Sequence, residues 1–319
     1  MGRSRVIGGN GIEVHGGGRR LLLDPHKKHP GSVVSHAHMD HLTADSYMTR
    51  ETHAIMKVRK PRSRGMPVEF LTNFEAEGFN VRLLPAGHVF GSAMVLVNEG
   101  DVLYTGDFNP QGGFTAGRAE PQKCDTLVVE STYGTPDSVM PQKEVTYRRI
   151  VDWVKEQPAQ VVFGAYDFGK AQELMALFNR NDITVAVSEK IGHIASIYNM
   201  HGCDLKWEKL DYRCDTKVAI ANMTSVQSPQ GEVKALFGKE GTKAAVATGM
   251  VTRFAYAGFD GKFPLSDHAD FWDIMGFVKA CAPERVYTTH GSDHALAREI
   301  ESRLGIEAEP LDCRAHVTH

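Results

Sequence analysis

The chain has 319 residues, 42% of them apolar and 24% charged, with a net charge of −3, enough to build two cores of ordinary domain size. No apolar run approaches the roughly 20 residues of a membrane helix, and the opening Met-Gly-Arg-Ser-Arg lacks the apolar stretch of a signal peptide. The mildly acidic balance argues against tight, charge-driven binding of duplex nucleic acid, and five cysteines (124, 203, 214, 281 and 313) without C-x-x-C spacing suit a reducing, cytoplasmic setting rather than a disulfide framework.

Up to about residue 130 the pattern is one of short strand-like runs. The run Gly31-Ser32-Val33-Val34 leads into Ser35-His36-Ala37-His38-Met39-Asp40-His41, four potential metal ligands within six positions. On an extended turn His36 and His38 share a face. Asp40 and His41 come from the next turn and aim at a neighbouring volume, a geometry that suits two adjacent ions. Asp24, after Leu21-Leu22-Leu23, fits either a support for those ligands or a turn before Pro25. Lys57, Arg59, Lys60, Arg62 and Arg64 form a basic run that suits a nucleic-acid backbone and a solvated face equally. The runs 81–84 and 93–97 bracket His88, whose neighbours Gly87 and Gly91 allow close backbone approach. The run 102–105 ends at Asp107.

From about 140 to 250 the rhythm changes. Helical patterns at 143–156, 169–179, 190–199 and 230–237 alternate with apolar strands at 161–165, 183–188, 218–223 and 243–248. Continuous apolar strands alternating with helices imply a parallel sheet covered on both faces. Gly169 and Lys170 open a helix after such a strand, a position where backbone N–H groups and an ammonium could hold a phosphate. A helix then reads over 268–280, a strand over 285–289 ending at His290, and a helix over 295–304. A strand-end Asp is commonly a turn cap and a lone His commonly packed. The metal reading rests on several strand ends delivering the same ligand chemistry.

In order and spacing these residues resemble the metallo-β-lactamase superfamily, and within it the β-CASP nucleases. His36, His38, Asp40 and His41 match its H-x-H-x-D-H signature, and His88 and Asp107 its next two motifs. Glu130 in Val-Val-Glu-Ser-Thr-Tyr-Gly, His268 in Leu-Ser-Asp-His-Ala-Asp and His290 in Thr-His-Gly match the three motifs that set β-CASP apart. The wording is similar to DNA-ligase-associated exonucleases and to archaeal proteins likened to messenger-RNA 3′-end processing factors. His193, His201, His294, His316 and His319 match no motif.

The resemblance implies an α/β fold: an αββα metallo-β-lactamase sandwich (residues 1–135 and 256–319) with an inserted α/β β-CASP cap (136–255). It implies two zinc ions, with manganese as the alternative, one held by His36, His38 and His88, the other by Asp40, His41 and His290, with Asp107 between them. Two such ions activate water toward phosphorus. Asp40, His268 and Glu130 carry the chemistry, His268 as general acid and Glu130 orienting it. The implied activity is exonucleolytic hydrolysis of single-stranded nucleic acid in RNA processing or DNA repair. His290 at the last motif leans toward RNA over DNA, and the expected partners are proteins such as a ligase or helicase, not a membrane. The rival reading, a thioesterase or lactonase of the same fold, brings its last histidine soon after Asp107 and has no use for Glu130 or His268.

Overall fold

The computed structural model describes residues 3–312, so Cys313, His316 and His319 lie outside the described residues. It divides into two compact units: the described parts of Met1–Gly112, Ala116–Val139 and His268–His319, and a second unit of Gly113–Thr115 and Met140–Asp267.

The first unit is built on a seven-stranded sheet, in the order Glu307–Pro310, Arg285–Gly291, Thr126–Ser131, Val102–Tyr104, Ala93–Val97, Phe79–Pro85, Asn73–Ala76. The first four run parallel to one another and the last three join antiparallel. Side chains alternate across these strands, and the alternation sorts the core. Val95, Val97 and Val128 face a second sheet, meeting Ile12, Val14, Leu21 and Leu23 from its antiparallel strands Gly11–Gly16 and Arg19–Leu23. Met94, Leu96, Leu127 and Val129 face the other way, against Phe271, Ile274, Val278 and Ile300 of the helices Phe271–Cys281 and Asp293–Leu304. Each fully buried Val, Leu, Ile or Phe contributes about 1.5–3 kcal/mol by leaving water. Val33 bridges Leu23 on one side and Tyr47 on the other, joining the antiparallel strands to the pair Ser46–Thr49 and Gly65–Val68, beside which helix Arg50–Arg59 buries Ile55 and Met56.

The second unit has six strands, all parallel, in the order Glu208–Lys209, Val185–Val187, Val218–Asn222, Val161–Ala165, Lys243–Ala247, Gly261–Phe263. Its central strands are buried along almost their whole length, Asn222 excepted, as expected of a sheet covered on both faces. One face packs Val162, Ala219 and Val246 under Val233 and Leu236; on the other, Phe163 meets Phe178 with ring centroids 5.3 Å apart.

The structure departs from the sequence reading in several places. The second unit extends to Asp267 rather than 255, because Gly261–Phe263 pairs with Lys243–Ala247. The helix expected over 268–280 begins at Phe271, since the Asp270 carboxylate accepts the Asp273 N–H at 2.9 Å and caps it there. His268 therefore sits in a bend before the helix and not in its first turn. Helix Arg50–Arg59 was not anticipated; only Thr52, Ile55 and Met56 are buried along it, too few for a clear helical stripe. No helix among the described residues is long and apolar enough to cross a membrane.

Candidate metal centre

Parallel strands deliver their ends to one rim. Val102–Tyr104 leads to Asp107, Thr126–Ser131 carries Glu130, and Arg285–Gly291 carries His290, paired through Glu130 with Thr289. The register slips between Glu130 and Ser131, and Gly291 makes the slip feasible. Its φ is +126°, and a Cβ there would stand 2.5 Å from the Ser131 carbonyl oxygen. The loop from His36 arrives at the same rim. His38 accepts backbone N–H bonds from His41 at 3.2 Å and Leu42 at 2.9 Å, winding the loop into one turn that brings His41 back beside His36, with ring centroids 4.2 Å apart.

The ring nitrogens converge. His38 Nδ1 lies 3.0 Å from His36 Nε2 and 3.1 Å from His88 Nε2. Asp107 Oδ2 lies 3.4 Å from His36 Nε2 and 3.6 Å from His88 Nε2. Donors of these four residues all fall within 4.8 Å of one another. Ligands about 2.0–2.1 Å from a tetrahedral zinc stand about 3.3 Å apart, so the spacing fits a shared cation. The same Asp107 oxygen is 3.8 Å from His41 Nε2, which in turn is 3.9 Å from Asp40 Oδ2. The His290 ring lies 4.9 Å from that of His41. His290 holds a left-handed φ of 54°, and its buried Nδ1 has no hydrogen-bond partner. An unmatched buried polar atom costs about 1–3 kcal/mol, which a ligand bond would offset.

Protonation tells the same story. Burial first, then the charge of His41, drives His38 down to about 3, and His36 falls well below the ordinary imidazole range for the same reasons. Both are thus neutral and able to donate lone pairs. His41 goes the other way. Burial, the largest single influence, opposes its charge, but Asp107, Asp24 and Asp40 outweigh burial and push it up to about 10. A proton on His41 supplies positive charge to a pocket of converging carboxylates. All-nitrogen-and-oxygen donors of this kind fit zinc or manganese.

Asp24 holds His41 in place. It is buried with φ 44°, and its carboxylate accepts the Ser35 N–H at 2.7 Å, the Ser35 hydroxyl at 2.5 Å, the Tyr104 hydroxyl at 2.8 Å and His41 Nδ1–H at 2.8 Å. With Nδ1 engaged, Nε2 of His41 is the nitrogen presented to Asp107. Ser35 Oγ, 2.9 Å from His36 Nδ1, does the same for His36. Burial, the largest effect, raises the Asp24 carboxyl, but His41 and the Ser35 bonds carry it below its ordinary value. Sequence offered Asp24 and a turn as equal readings; Tyr104 gave no signal, since a strand tyrosine reads as core.

Glu130 and His268 form a second pair at the rim. His268 Nδ1 lies 2.9 Å and 3.0 Å from the two Glu130 oxygens. Glu130 is fully buried and also accepts the Phe108 N–H at 2.8 Å and the Thr132 hydroxyl at 2.5 Å. Burial pushes its pKa up, but the His268 charge and these bonds hold it below the ordinary carboxylate range. The His268 ring stands 4.5 Å from that of His88, at the border of the donor cluster.

Gly169 and Lys170 belong to the second unit, where the donors expected to hold a phosphate have protein partners. Lys170 is buried, its Nζ 2.7 Å from Asp267 Oδ1 and 2.9 Å from the Leu265 carbonyl. The Gly169 N–H donates to Gln172 Oε1 at 2.9 Å. Both donors are spent inside the second unit. A cleft of about 750 Å³, lined by Asn98, Asp101, Lys123, Asp125 and Glu284, opens at the opposite rim and holds no histidine.

Residues 262–309 match the family described as the Zn-dependent metallo-hydrolase RNA specificity domain. Over 305 residues the chain is 32% identical to a protein of Opitutus terrae named "Probable DNA ligase", covering 90% of this chain and 29% of that one. Over 308 residues it is 26% identical to an RNase J-like protein of Methanocaldococcus jannaschii, covering 78% and 70%. Over 172 residues it is 30% identical to cleavage and polyadenylation specificity factor subunit 3 of Dictyostelium discoideum, covering 51% and 21%. A crystal structure of an Enterococcus faecalis V583 protein of unknown function superposes with a TM-score of 0.70 at 14% identity, covering 97% of this chain and 98% of that one, a likeness of fold. Over most of its length the chain is similar to these relatives, in keeping with its resemblance to the metallo-β-lactamase superfamily and its β-CASP branch. It spans less than a third of the ligase-named relative's length.

Proposed function

We propose that this chain is a dinuclear-metal-dependent nuclease that hydrolyses phosphodiester bonds of single-stranded nucleic acid, acting as an exonuclease with RNA favoured over DNA. The observation that carries it is the convergence of histidine and aspartate donors from His36 to His290 beside the pair formed by buried Glu130 and His268. His36, His38 and His88 would hold one zinc, and Asp40, His41 and His290 the other, with Asp107 shared; manganese is the alternative occupant. When bound, the ions supply a water of lowered pKa and neutralise charge on the phosphate.

The chain's own groups do the rest. His268 delivers a proton to the departing 3′ oxygen, and Glu130, held by the Phe108 N–H and the Thr132 hydroxyl, fixes the ring so that its other nitrogen faces the reacting bond. Asp24 keeps His41 in the tautomer that ligates. The RNA preference is supported by the RNA specificity domain match and the RNase J-like relative. The ligase-named relative, in which a segment like this chain forms part of a longer protein, supports coupling to a nucleic-acid-joining enzyme. A cytoplasmic setting belongs to the same proposal.

The test is digestion of end-labelled single-stranded RNA and DNA, bearing 5′ phosphate or 5′ hydroxyl, by wild type and by His268→Ala and Asp40→Ala. Stepwise shortening by wild type, lost in both variants, is expected. Equal activity in all three would trace the cleavage to a contaminant and remove the assignment.

A further inference from the structure

His268 lies outside the hydrogen-bond ladder of its helix, in the bend before Asp270, so something other than the helix must hold its backbone. The stretch after Asp107 supplies the hold. The Ala269 N–H donates to the Phe108 carbonyl at 2.8 Å. Asn109 Nδ2–H donates to the His268 carbonyl at 3.1 Å. Gln111 Nε2–H donates to Asp273 Oδ2 at 2.7 Å, in the first turn of the helix. Phe108, Asn109 and Gln111 thus fasten the segment from His268 to Asp273 at three points.

The Asn109 amide has a fixed sense. Its Oδ1 accepts the Gln111 N–H at 2.8 Å, which turns Nδ2 toward the His268 carbonyl. Asn109 is buried, and its own backbone is held from another side. Its N–H donates to the Ala86 carbonyl at 2.7 Å, and its carbonyl accepts the Ala119 N–H at 3.1 Å. Gly87, next to His88, permits that approach, since a Cβ there would stand 2.2 Å from the Asn109 carbonyl oxygen. One buried residue therefore ties the backbone of His268 to the segments that carry His88 and Asp107.

Glu130 holds the His268 ring at Nδ1, and a ring held only there still shifts if its backbone drifts. We propose that Asn109 is a positioning residue for proton delivery: its amide fixes the His268 backbone, so that the ring stands where the departing 3′ oxygen takes the proton as its bond to phosphorus breaks. This rests on the nuclease reading. A displacement of about 1 Å at such a group costs about 10²-fold in rate.

Leaving groups separate this role from general support. Nitrophenolate departs from bis-p-nitrophenyl phosphate as a stable anion and needs no proton, whereas the 3′ oxygen of an oligonucleotide does. In Asn109→Ala, kcat on a single-stranded oligonucleotide should fall about tenfold, the scale of one hydrogen bond, while kcat on bis-p-nitrophenyl phosphate stays within about twofold of wild type. KM and metal content should not change. Asn109→Asp keeps an acceptor for the Gln111 N–H and replaces the donor; it should show the same selective loss, and it serves where the alanine variant fails to fold. Combined with Glu130→Gln, the loss should be smaller than the product of the two single losses, because both act through one ring. Equal losses on the two substrates, or losses that multiply, would make Asn109 a general brace and overturn the proposal. Spectra of the metal-free protein labelled with 15N-histidine read the placement without turnover. The His268 Nδ1–H signal, identified by its absence from His268→Ala, should shift or broaden in both Asn109 variants, and an unmoved signal would also overturn the proposal. Wild type that cleaved neither substrate would sink the nuclease reading instead, and this signal would still decide whether Asn109 places the ring.

Discussion

Replacing Asp24 by asparagine tests whether the centre depends on how His41 is held. The carboxylate receives four donors: one N–H and one hydroxyl from Ser35, the Tyr104 hydroxyl and His41 Nδ1–H. Asparagine is almost the same size but brings one acceptor and one NH2. With its NH2 on the crowded side, the two hydroxyls can rotate to accept, but His41 can comply only by moving its proton to Nε2, the nitrogen that faces Asp107. Turning the amide over moves the conflict to the Ser35 N–H, which cannot rotate at all. Either way one charge-assisted bond is lost, about 1.5–3 kcal/mol, and metal affinity should fall about 10–100-fold, as when outer partners of ligating histidines are removed. Competition against a chromophoric chelator reads the affinity, and melting of the metal-free protein reads the stability, with a drop of about 3–12 °C expected at about 2–4 °C per kcal/mol. If Asp24→Asn kept wild-type metal affinity and melting temperature, the claim that Asp24 sets the His41 tautomer would be wrong.

Glu130→Gln leaves the donor cluster whole but weakens the hold on His268; kcat should fall about 10²–10³-fold with metal content unchanged, as measured by elemental analysis, and a parallel loss of metal would contradict the division of labour. In metal-free protein the folded pKa of His41 is raised to about 10, so its stabilising proton is fully present below the unfolded value of about 6.5 and is lost as pH rises through the folded one. Zinc binding at pH 8 should therefore release about one proton per chain, seen as a binding enthalpy that varies with buffer ionisation enthalpy; no such variation would refute it. Metal removal should lower the melting temperature, since ligand at about 1,000 times its Kd contributes about 4 kcal/mol; calorimetry with and without chelator decides. Lys170→Met should destabilise by about 1.5–3 kcal/mol, because a charge-assisted hydrogen bond to the largely buried Asp267 carboxylate is lost, and an unchanged unfolding midpoint in urea would count against this placement.

The candidate ligands stood out in the sequence because metal chemistry restricts ligands to a few side-chain types, and H-x-H-x-D-H crowds four of them into one loop. The second unit was readable because strands such as Val161–Ala165, buried on both faces, are apolar without interruption. What failed to show depends on neighbours remote in sequence. Lys170 after Gly169 has the wording of a phosphate loop, and only the fold reveals that Asp267 and the Leu265 carbonyl already occupy its ammonium. The segment Ser266-Asp267-His268-Ala269-Asp270 offers two aspartates able to cap a helix; tertiary contacts chose Asp270. Strands as short as Glu208–Lys209 and Gly261–Phe263 carry no periodicity to detect. Tyr104 was hidden because its ring belongs to the core while its hydroxyl serves Asp24.

Because Val102–Tyr104, Thr126–Ser131 and Arg285–Gly291 all point the same way, the candidate donors gather where they finish, and the cleft where they start, around Glu99, Asp125 and Glu284, is lined by no histidine. That polarity gives an experimenter a safe handle. A dye, a surface tether or a fused domain attached near Glu99 or Glu284 would stand a full strand length from the histidines, allowing single-molecule observation of turnover without intruding on it.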